Sequence, residues 1–191
     1  MLNEIIKPFR WKNILPLRAG IGEGQMSLLC KIPQIETKFV FQVHLNFKER
    51  VYFNSVRGYR RSFTPVVSGT VSGPRLEGRV LPRSGADWAM SGRLDAHYML
   101  EADDGTPIYM RNTGYMHFLD RPAPSEEHLS FDEAVPERLK ASVDEPMYFR
   151  CTPQFDCRAG PHDWLNRTAI IGTARRHSSP DHTVFYYYAV L

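Results

Sequence analysis

Two groups of residues carry side chains suited to moving protons. The first is the neighbouring pair Asp87-Trp88. A carboxyl group gives or takes a proton once burial and neighbours adjust its pKa, and an indole face stabilises a nearby cation. The second group is Asp95, His97, Tyr109 and Arg111, which a single hairpin brings onto one face. Its turn is Asp103-Asp104-Gly105, a three-residue loop with glycine in the left-handed position. That register sets Asp95 opposite Thr113, His97 opposite Arg111, Met99 opposite Tyr109 and Ala102 opposite Thr106. A two-residue turn would set Tyr98 opposite Arg111 and mix the faces, because a slip of one residue turns every side chain over. With the longer loop, Leu94, Ala96, Tyr98, Leu100, Ile108 and Met110 form one face. Asp95, His97, Met99, Tyr109 and Arg111 form the other.

Each group also has a plain structural reading. Asp95, His97 and Arg111 fit the solvated outer face of a half-exposed antiparallel sheet, where cross-strand pairs are weak. Asp87-Trp88 fits a turn followed by a core aromatic. Tyr98 sits among apolar neighbours, and Tyr148 and Trp164 are as suited to a core as to a ligand. Other chemistries find little support. The histidines show neither H-x-H nor H-E-x-x-H spacing, so no metal site is expected. There is no G-x-S-x-G. Gly20-Ile21-Gly22-Glu23-Gly24 falls short of a phosphate-binding loop. Cys30, Cys151 and Cys157 form neither C-x-x-C nor an even set, which fits reduced thiols; Cys151 and Cys157 are expected to bracket a loop.

The elements that must position these residues read as short strands. Thr37 to Phe47 alternates, with Phe39, Phe41, Val43, Leu45 and Phe47 on one face. Ser62 to Val71 follows, cut by Pro65 and Gly69, then Leu76 to Leu81. Glycines near 69, 73 and 78 suggest bends where a sheet curls. Residues 115 to 146 interrupt the strands with a long connection in which Phe131 to Ser142 can form a short helix. Strands resume at Met147 to Thr152, Leu165 to Ala174 and Thr183 to Val190. The pattern argues for an all-β antiparallel barrel or sandwich and against a βαβ fold. Residues 1–34 read as an extension packed over a barrel domain of residues 35–191, with Trp11, Ile14 and Leu17 as anchors.

Composition narrows the classes. The chain has 191 residues, 42% of them hydrophobic and 12% aromatic, enough for one well-packed domain rather than a disordered chain. Its 24 Lys and Arg against 21 Asp and Glu leave a net charge of +3, too small to argue for nucleic acid. No apolar run reaches the ~18 residues of a membrane span. The start lacks the order of a secretory signal, so a cytoplasmic location is expected.

The ordered motifs of the chain resemble a known family. They are Val71-Ser72-Gly73-Pro74-Arg75-Leu76-Glu77-Gly78-Arg79-Val80-Leu81-Pro82 with Gly85-Ala86-Asp87-Trp88, Leu94-Asp95-Ala96-His97-Tyr98 through Gly105, Ile108-Tyr109-Met110-Arg111-Asn112, Tyr148-Phe149-Arg150, and Trp164-Leu165-Asn166-Arg167 with Gly172-Thr173. Together they resemble the domain-of-unknown-function 3237 family over roughly residues 36 to 191. The resemblance implies a compact antiparallel β-barrel of about eight strands, similar to cyclase or calycin barrels. Some fungal members belong to aromatic polyketide pathways of the phenalenone type and are associated with ring-closing hydroalkoxylation, the addition of a hydroxyl across an alkene. His97 departs from the family, which usually has Arg there. Residues 1–34 and the stretch between Gly114 and Tyr148 exceed the shorter bacterial pattern.

Ring closure of this kind needs an acid for the alkene, a base for the hydroxyl and a face that tolerates positive charge, and neither cofactor nor metal. The expected function is a cofactor-free cyclase acting on a small aromatic substrate, with a non-catalytic ligand-binding barrel or a hydratase as alternatives. Asp87, Asp95, His97 and Arg111 are the catalytic candidates. Trp88, Tyr98, Tyr109, Tyr148, Arg150 and Trp164 are the candidate substrate contacts. No nucleic acid or membrane partner is expected, and pairing with a second copy is a possibility that exposed strands allow.

Overall fold

The computed structural model describes residues 34–48, 50–54, 60–90, 92–119, 147–178 and 181–191. Ten strands form one antiparallel sheet: β1 (Thr37–Phe47), β2 (Val51–Asn54), β3 (Arg60–Ser72), β4 (Gly78–Val80), β5 (Ala86–Asp87), β6 (Arg93–Ala102), β7 (Pro107–Phe118), β8 (Met147–Cys157), β9 (Ile170–Ser178) and β10 (Asp181–Val190). The order runs β1-β10-β9-β8-β7-β6-β4-β3, and β3 pairs back onto β1, closing the sheet. β4 and β5 each lie between β3 and β6. They are two pieces of one broken strand, so the barrel has eight strands, with β2 outside it on β3. The all-β barrel read from the sequence is the fold. It forms the compact unit Glu36–Leu191.

Alternation explains the closure. Leu94, Ala96, Tyr98, Leu100 and Ala102 of β6 are buried, as are Thr183, Phe185, Tyr187 and Ala189 of β10. Their neighbours in sequence are exposed or half-buried, as a period of two requires. The hairpin between β6 and β7 has the expected register: His97 pairs with Arg111 and Met99 with Tyr109. Gly105 takes φ 80° in its turn, the conformation that favours glycine.

Several sequence expectations need correction. The register of β1 against β10 shifts between Phe39 and Phe41. This bulge turns Phe39 outward, edge-on to Tyr188 at 5.7 Å, and leaves Phe41, Val43 and Leu45 buried. Pro65 and Gly69 do not cut β3, which absorbs its irregularity where Asn46 and Phe47 of β1 change register. β7 runs on to Phe118 instead of stopping near Gly114. β8 extends to Cys157, so Cys151 and Cys157 lie on one strand rather than around a loop. Asp163–Arg167 is a 3-10 helix, not the start of a strand. The helix expected over residues 131–142 and the anchoring roles of Trp11, Ile14 and Leu17 fall outside the described residues.

The 3-10 helix stands where the barrel wall parts. β8 and β9 pair only at Arg150 with Thr173 and Cys151 with Gly172. Beyond them the side-chain amide of Asn166 takes a strand's place on Cys157, accepting from its N–H at 3.1 Å and donating to its carbonyl at 2.8 Å. Leu165 is buried. Trp164 packs edge-on to Phe41 at 6.4 Å, with the Arg75 guanidinium 4.4 Å above its ring. This end of the barrel is therefore plugged by side chains. No helix among the described residues is long and apolar enough to cross a membrane.

Candidate active site

The break between β4 and β5 decides where Asp87 points. Val80 pairs with Leu100, whereas Ala86 pairs with His97 and Asp87 with Ala96. Paired residue numbers sum to 180 before the break and 183 after it, so the strand holds three extra residues. An odd insertion exchanges the two faces. Without it the inward positions would continue through the even-numbered residues from Val80; with it Asp87 is inward and Trp88 outward. Ser84 stitches the excursion, donating to the Leu81 carbonyl at 2.6 Å and accepting from the Met99 N–H at 3.1 Å. Gly85 is required beside it, because an added Cβ would collide with the carbonyl of His97.

Asp87 then stands in a row that crosses four strands of the inner wall: Thr64, Asp87, Ala96 and Asn112. Residues directly opposite share a face, and Thr64, Ala96 and Asn112 are each at most 1% exposed. The Asp87 Oδ1 atom is buried as well. Ala96 is the smallest member, and it separates the carboxyl from the amide by two strand spacings, about 9.5 Å. Arg50 reaches this row, its Nε donating to Thr64 Oγ1 at 2.9 Å. Tyr98 is the next inward residue along β6 and is fully buried. Asn112 Nδ2 donates to the Tyr187 hydroxyl at 2.9 Å across the interior.

The protonation of these groups follows from their burial. Burial raises the Tyr187 phenol well above its ordinary pKa, and negative charge on Cys151 and Asp87 would raise it further. Burial pushes the Cys151 thiol up to about 12, against smaller opposing effects from Asn112 and Arg150. Both groups are neutral hydrogen-bond donors at neutral pH, not nucleophiles. Gly172 makes room for them: an added Cβ there would lie 2.7 Å from Cys151 Sγ and 2.8 Å from the Tyr187 ring. Aromatic rings complete the lining. Tyr187 stacks on Phe185 at 6.0 Å and tilts against Phe41 at 5.1 Å, and Phe149 meets Phe185 edge-on at 5.4 Å.

The second candidate cluster lies on the opposite side of the same wall. His97 Nδ1 shares a hydrogen bond of 2.6 Å with the Tyr109 hydroxyl, and its Nε2 is 3.3 Å from Asp95 Oδ1. Arg111 Nε also donates to Asp95 Oδ1 at 3.3 Å. The side chains of Asp95, His97 and Arg111 are 38%, 36% and 47% exposed. They alternate with Ala96 and Asn112 and so do not share a site with Asp87. Trp88 is 41% exposed and packs on Phe63 at 4.6 Å. Tyr148 stacks on His117 at 4.7 Å with the Arg150 guanidinium 5.1 Å above its ring, also on the outer face. Trp164 belongs to the plugged end. Of the candidate substrate contacts, Tyr98 alone faces the interior beside Asp87.

Thr64, Asn112 and Tyr187, which line the interior with Asp87, were not among the candidates read from the sequence. Asn112 had a signal: it continues the inward series Ile108 and Met110, so the alternation already placed an amide in the core.

An eight-stranded antiparallel barrel with a carboxyl, an amide and two phenols set into an aromatic interior is the class these observations define. Residues 35–190 match the family described as "Protein of unknown function (DUF3237)", and the chain belongs to that family. A UPF0311 protein of Rhodopseudomonas palustris (strain TIE-1) is 31% identical over 153 residues, spanning 76% of this chain and 92% of that one. A solved structure of a conserved protein of unknown function from Rhodopseudomonas palustris is 28% identical, with TM-score 0.65, covering 84% of this chain and 100% of the other. An enzyme from Penicillium herquei shares the fold at TM-score 0.57 and 17% identity, covering 84% of this chain and 98% of the other.

Proposed function

We propose that the barrel interior is the active site of a cofactor-free cyclase, which closes a ring by adding a phenolic hydroxyl across an alkene of the same small aromatic molecule. The observation that carries this reading is the inward carboxyl of Asp87, placed by an odd insertion in an otherwise regular wall. That a protein sharing the barrel is an enzyme from a Penicillium species supports it.

One carboxyl suffices for the proton balance. The acid form of Asp87 gives its proton to the alkene, leaving a carbocation. The phenol oxygen bonds to that carbon, and the carboxylate takes the phenolic proton. The product is an isomer of the substrate, and Asp87 ends as it began. The rings of Tyr187, Phe185 and Phe149 surround the charge, and aromatic faces stabilise cations most where water is excluded. Asp95, His97 and Arg111 take no part in this step.

The test is to incubate the protein with a mixture of prenylated phenols and follow products by mass spectrometry. An isomer of unchanged mass and new retention, absent with boiled protein and with Asp87→Asn, supports ring closure. A gain of water would make the protein a hydratase. A ligand that binds and returns unaltered would make the barrel a carrier.

A further inference from the structure

Three histidines gather on the outer face of the barrel where β1, β10 and β9 run side by side. The imidazoles of His177 and His182 are stacked, their centres 4.4 Å apart and their planes 9° from parallel. His44 brings a third ring within 4.7 Å of His182. Register puts them there: His177 pairs with His182 and His182 with Asn46, while His44 lies two residues back along β1. All three alternate with inward residues, of which Val43, Leu45 and Thr183 are buried. The Nε2 atom of His44 is shielded from solvent and has no hydrogen-bond partner among the described residues.

The surrounding strands offer little to neutralise positive charge here. On β1 the outward neighbours are Gln42 and Asn46; on β3, Thr70 lies opposite His44 and Ser68 opposite Asn46. Val184 and Tyr186 follow His182 on the outer side of β10. The nearest fixed charges are cations, Arg175 opposite Val184 on β9 and Lys48 just past the end of β1. Asp181, beside His182 in the chain, is the only carboxylate within these four strands. The arrangement accordingly favours neutral rings. Burial lowers the His44 pKa below its ordinary 6.5, and His182 and His177 lower it further.

The seam that carries the trio is also the one that holds the end of a hairpin. Past Thr173, β9 pairs with no residue of β8 among the described residues. Ala174 to His177 of β9 and His182 to Phe185 of β10 therefore join the rest of the sheet only through β10 on β1. We propose that this hairpin end is an acid-opened flap. With the three imidazoles neutral it lies on β1. When they take up protons, like charges at these distances repel one another and the hairpin end lifts, uncovering the inward Thr183 and Phe185 at the end of the barrel away from Trp164. The closed form holds the His44 proton less tightly than the open form does, so closure is fully favoured above about pH 6.5 and weakens as pH falls below it. The flap is independent of the chemistry assigned to Asp87.

Native-state hydrogen exchange on the full chain tests this without any substrate, with rates at pH 7 and pH 5 each divided into the intrinsic rate at that pH. Amides along the β1–β10 seam, from Val43 to Asn46 and from His182 to Phe185, are expected to lose protection about ten-fold or more between the two, since each group that charges on opening contributes up to about ten-fold per pH unit. At pH 5 their exchange should barely respond to urea below the unfolding transition, because a local opening exposes little surface. Amides of the β6–β7 hairpin should respond steeply. His44→Gln and His177→Gln each take one charge from the stack and should cut the acid loss to about three-fold or less. The readout is a slope, so a variant that is merely less stable does not imitate this result. Equal wild-type protection at both pH values, or a full loss retained by either variant, overturns the proposal. So does seam exchange at pH 5 with the urea response of the β6–β7 hairpin, which is acid unfolding of the whole barrel. Product formation alone tests the cyclase, so either reading can fail while the other stands.

Discussion

The two faces of the β6–β7 hairpin carry comparable chemistry and sit in opposite surroundings. Outside, Asp95, His97, Tyr109 and Arg111 form a connected chain of acid, base, phenol and guanidinium. Inside, Asn112 and Tyr98 stand beside Asp87. By residue type the outer set is the better-equipped site. Water reaches it, however, and exposed ion pairs contribute only about 0.2–1 kcal/mol. The inner set is more shielded, with Tyr98 and Asn112 fully buried and Asp87 half-buried with its Oδ1 out of solvent, so each proton and each hydrogen bond has larger consequences. Location, more than the inventory of functional groups, separates a site from a surface.

The sharpest way to break this comparison is to remove a carboxyl from each face. Asp87→Asn is expected to lower turnover by about 10²–10⁴-fold, the usual share of a positioned acid–base group, with little loss of folding. Asp95→Asn is expected to change turnover less than about two-fold, as befits a partly solvated carboxylate. Steady-state rates on an identified substrate decide it. Equal losses from both variants would merge the two faces into one site.

A smaller effect is expected in stability. Asn112→Ala leaves the buried Tyr187 hydroxyl without its donor, and a buried polar group stripped of its partner costs about 1–3 kcal/mol. Urea unfolding at neutral pH measures this. A loss below about 0.5 kcal/mol would mean that the bond is readily replaced.

How legible the molecule was in its sequence depended on how regular each stretch is. The hairpin around Gly105 was fully readable, because Leu94 to Ala102 alternates without a fault and only one loop length keeps polar and apolar residues apart. Phe39 was assigned to the wrong face because a bulge at Val40 leaves no compositional mark. Leu165 was read as strand because its apolar character is that of any core residue; the helix around it is set by the parting of β8 and β9, a tertiary event. Asp87 is the most instructive case. Local pattern would put Trp88 in the core and leave the carboxyl outside. The structure reverses them through a three-residue excursion whose only sequence traces are Pro82, Ser84 and Gly85.

Alkaline titration sharpens the contrast from the inner side. Cys151 and Tyr187 both have folded pKa values raised above their ordinary 9.0 and 10.0. The folded protein thus holds their protons more tightly than the unfolded chain does. The stability they lend is fully present below pH 9 and is lost as pH rises through the interval up to the folded values. The slope approaches about 1.4 kcal/mol per pH unit for each group released. Urea midpoints taken from pH 8 to pH 11 are expected to fall, beginning near pH 9 with Cys151 and steepening past pH 10 with Tyr187. Cys151→Ala, less stable at pH 7 for its lost packing, should show a flatter decline between pH 9 and 10. A midpoint independent of pH over this range would place both groups in contact with solvent.

The smallest effects belong to the outer face, and their size is itself the argument. Arg111 and His97 both contact the same Asp95 oxygen at 3.3 Å, long for a charge-assisted bond. Each side chain is at least a third exposed. The screening length is about 8 Å at physiological salt and about 3 Å in 1 M salt, so contacts of 3.3 Å are screened only in part at the first and substantially at the second. Arg111→Ala and His97→Ala are each expected to cost under about 1 kcal/mol in urea unfolding, and the cost should shrink further in 1 M salt. The double variant tests the connection between them, because residues that share a partner are expected to be non-additive. A double-variant loss equal to the sum of the singles would mean that Asp95 holds the two independently. A loss of several kcal/mol from either single would show an outer face more buried than its exposure allows, and would return Asp95, His97 and Arg111 to consideration as a site.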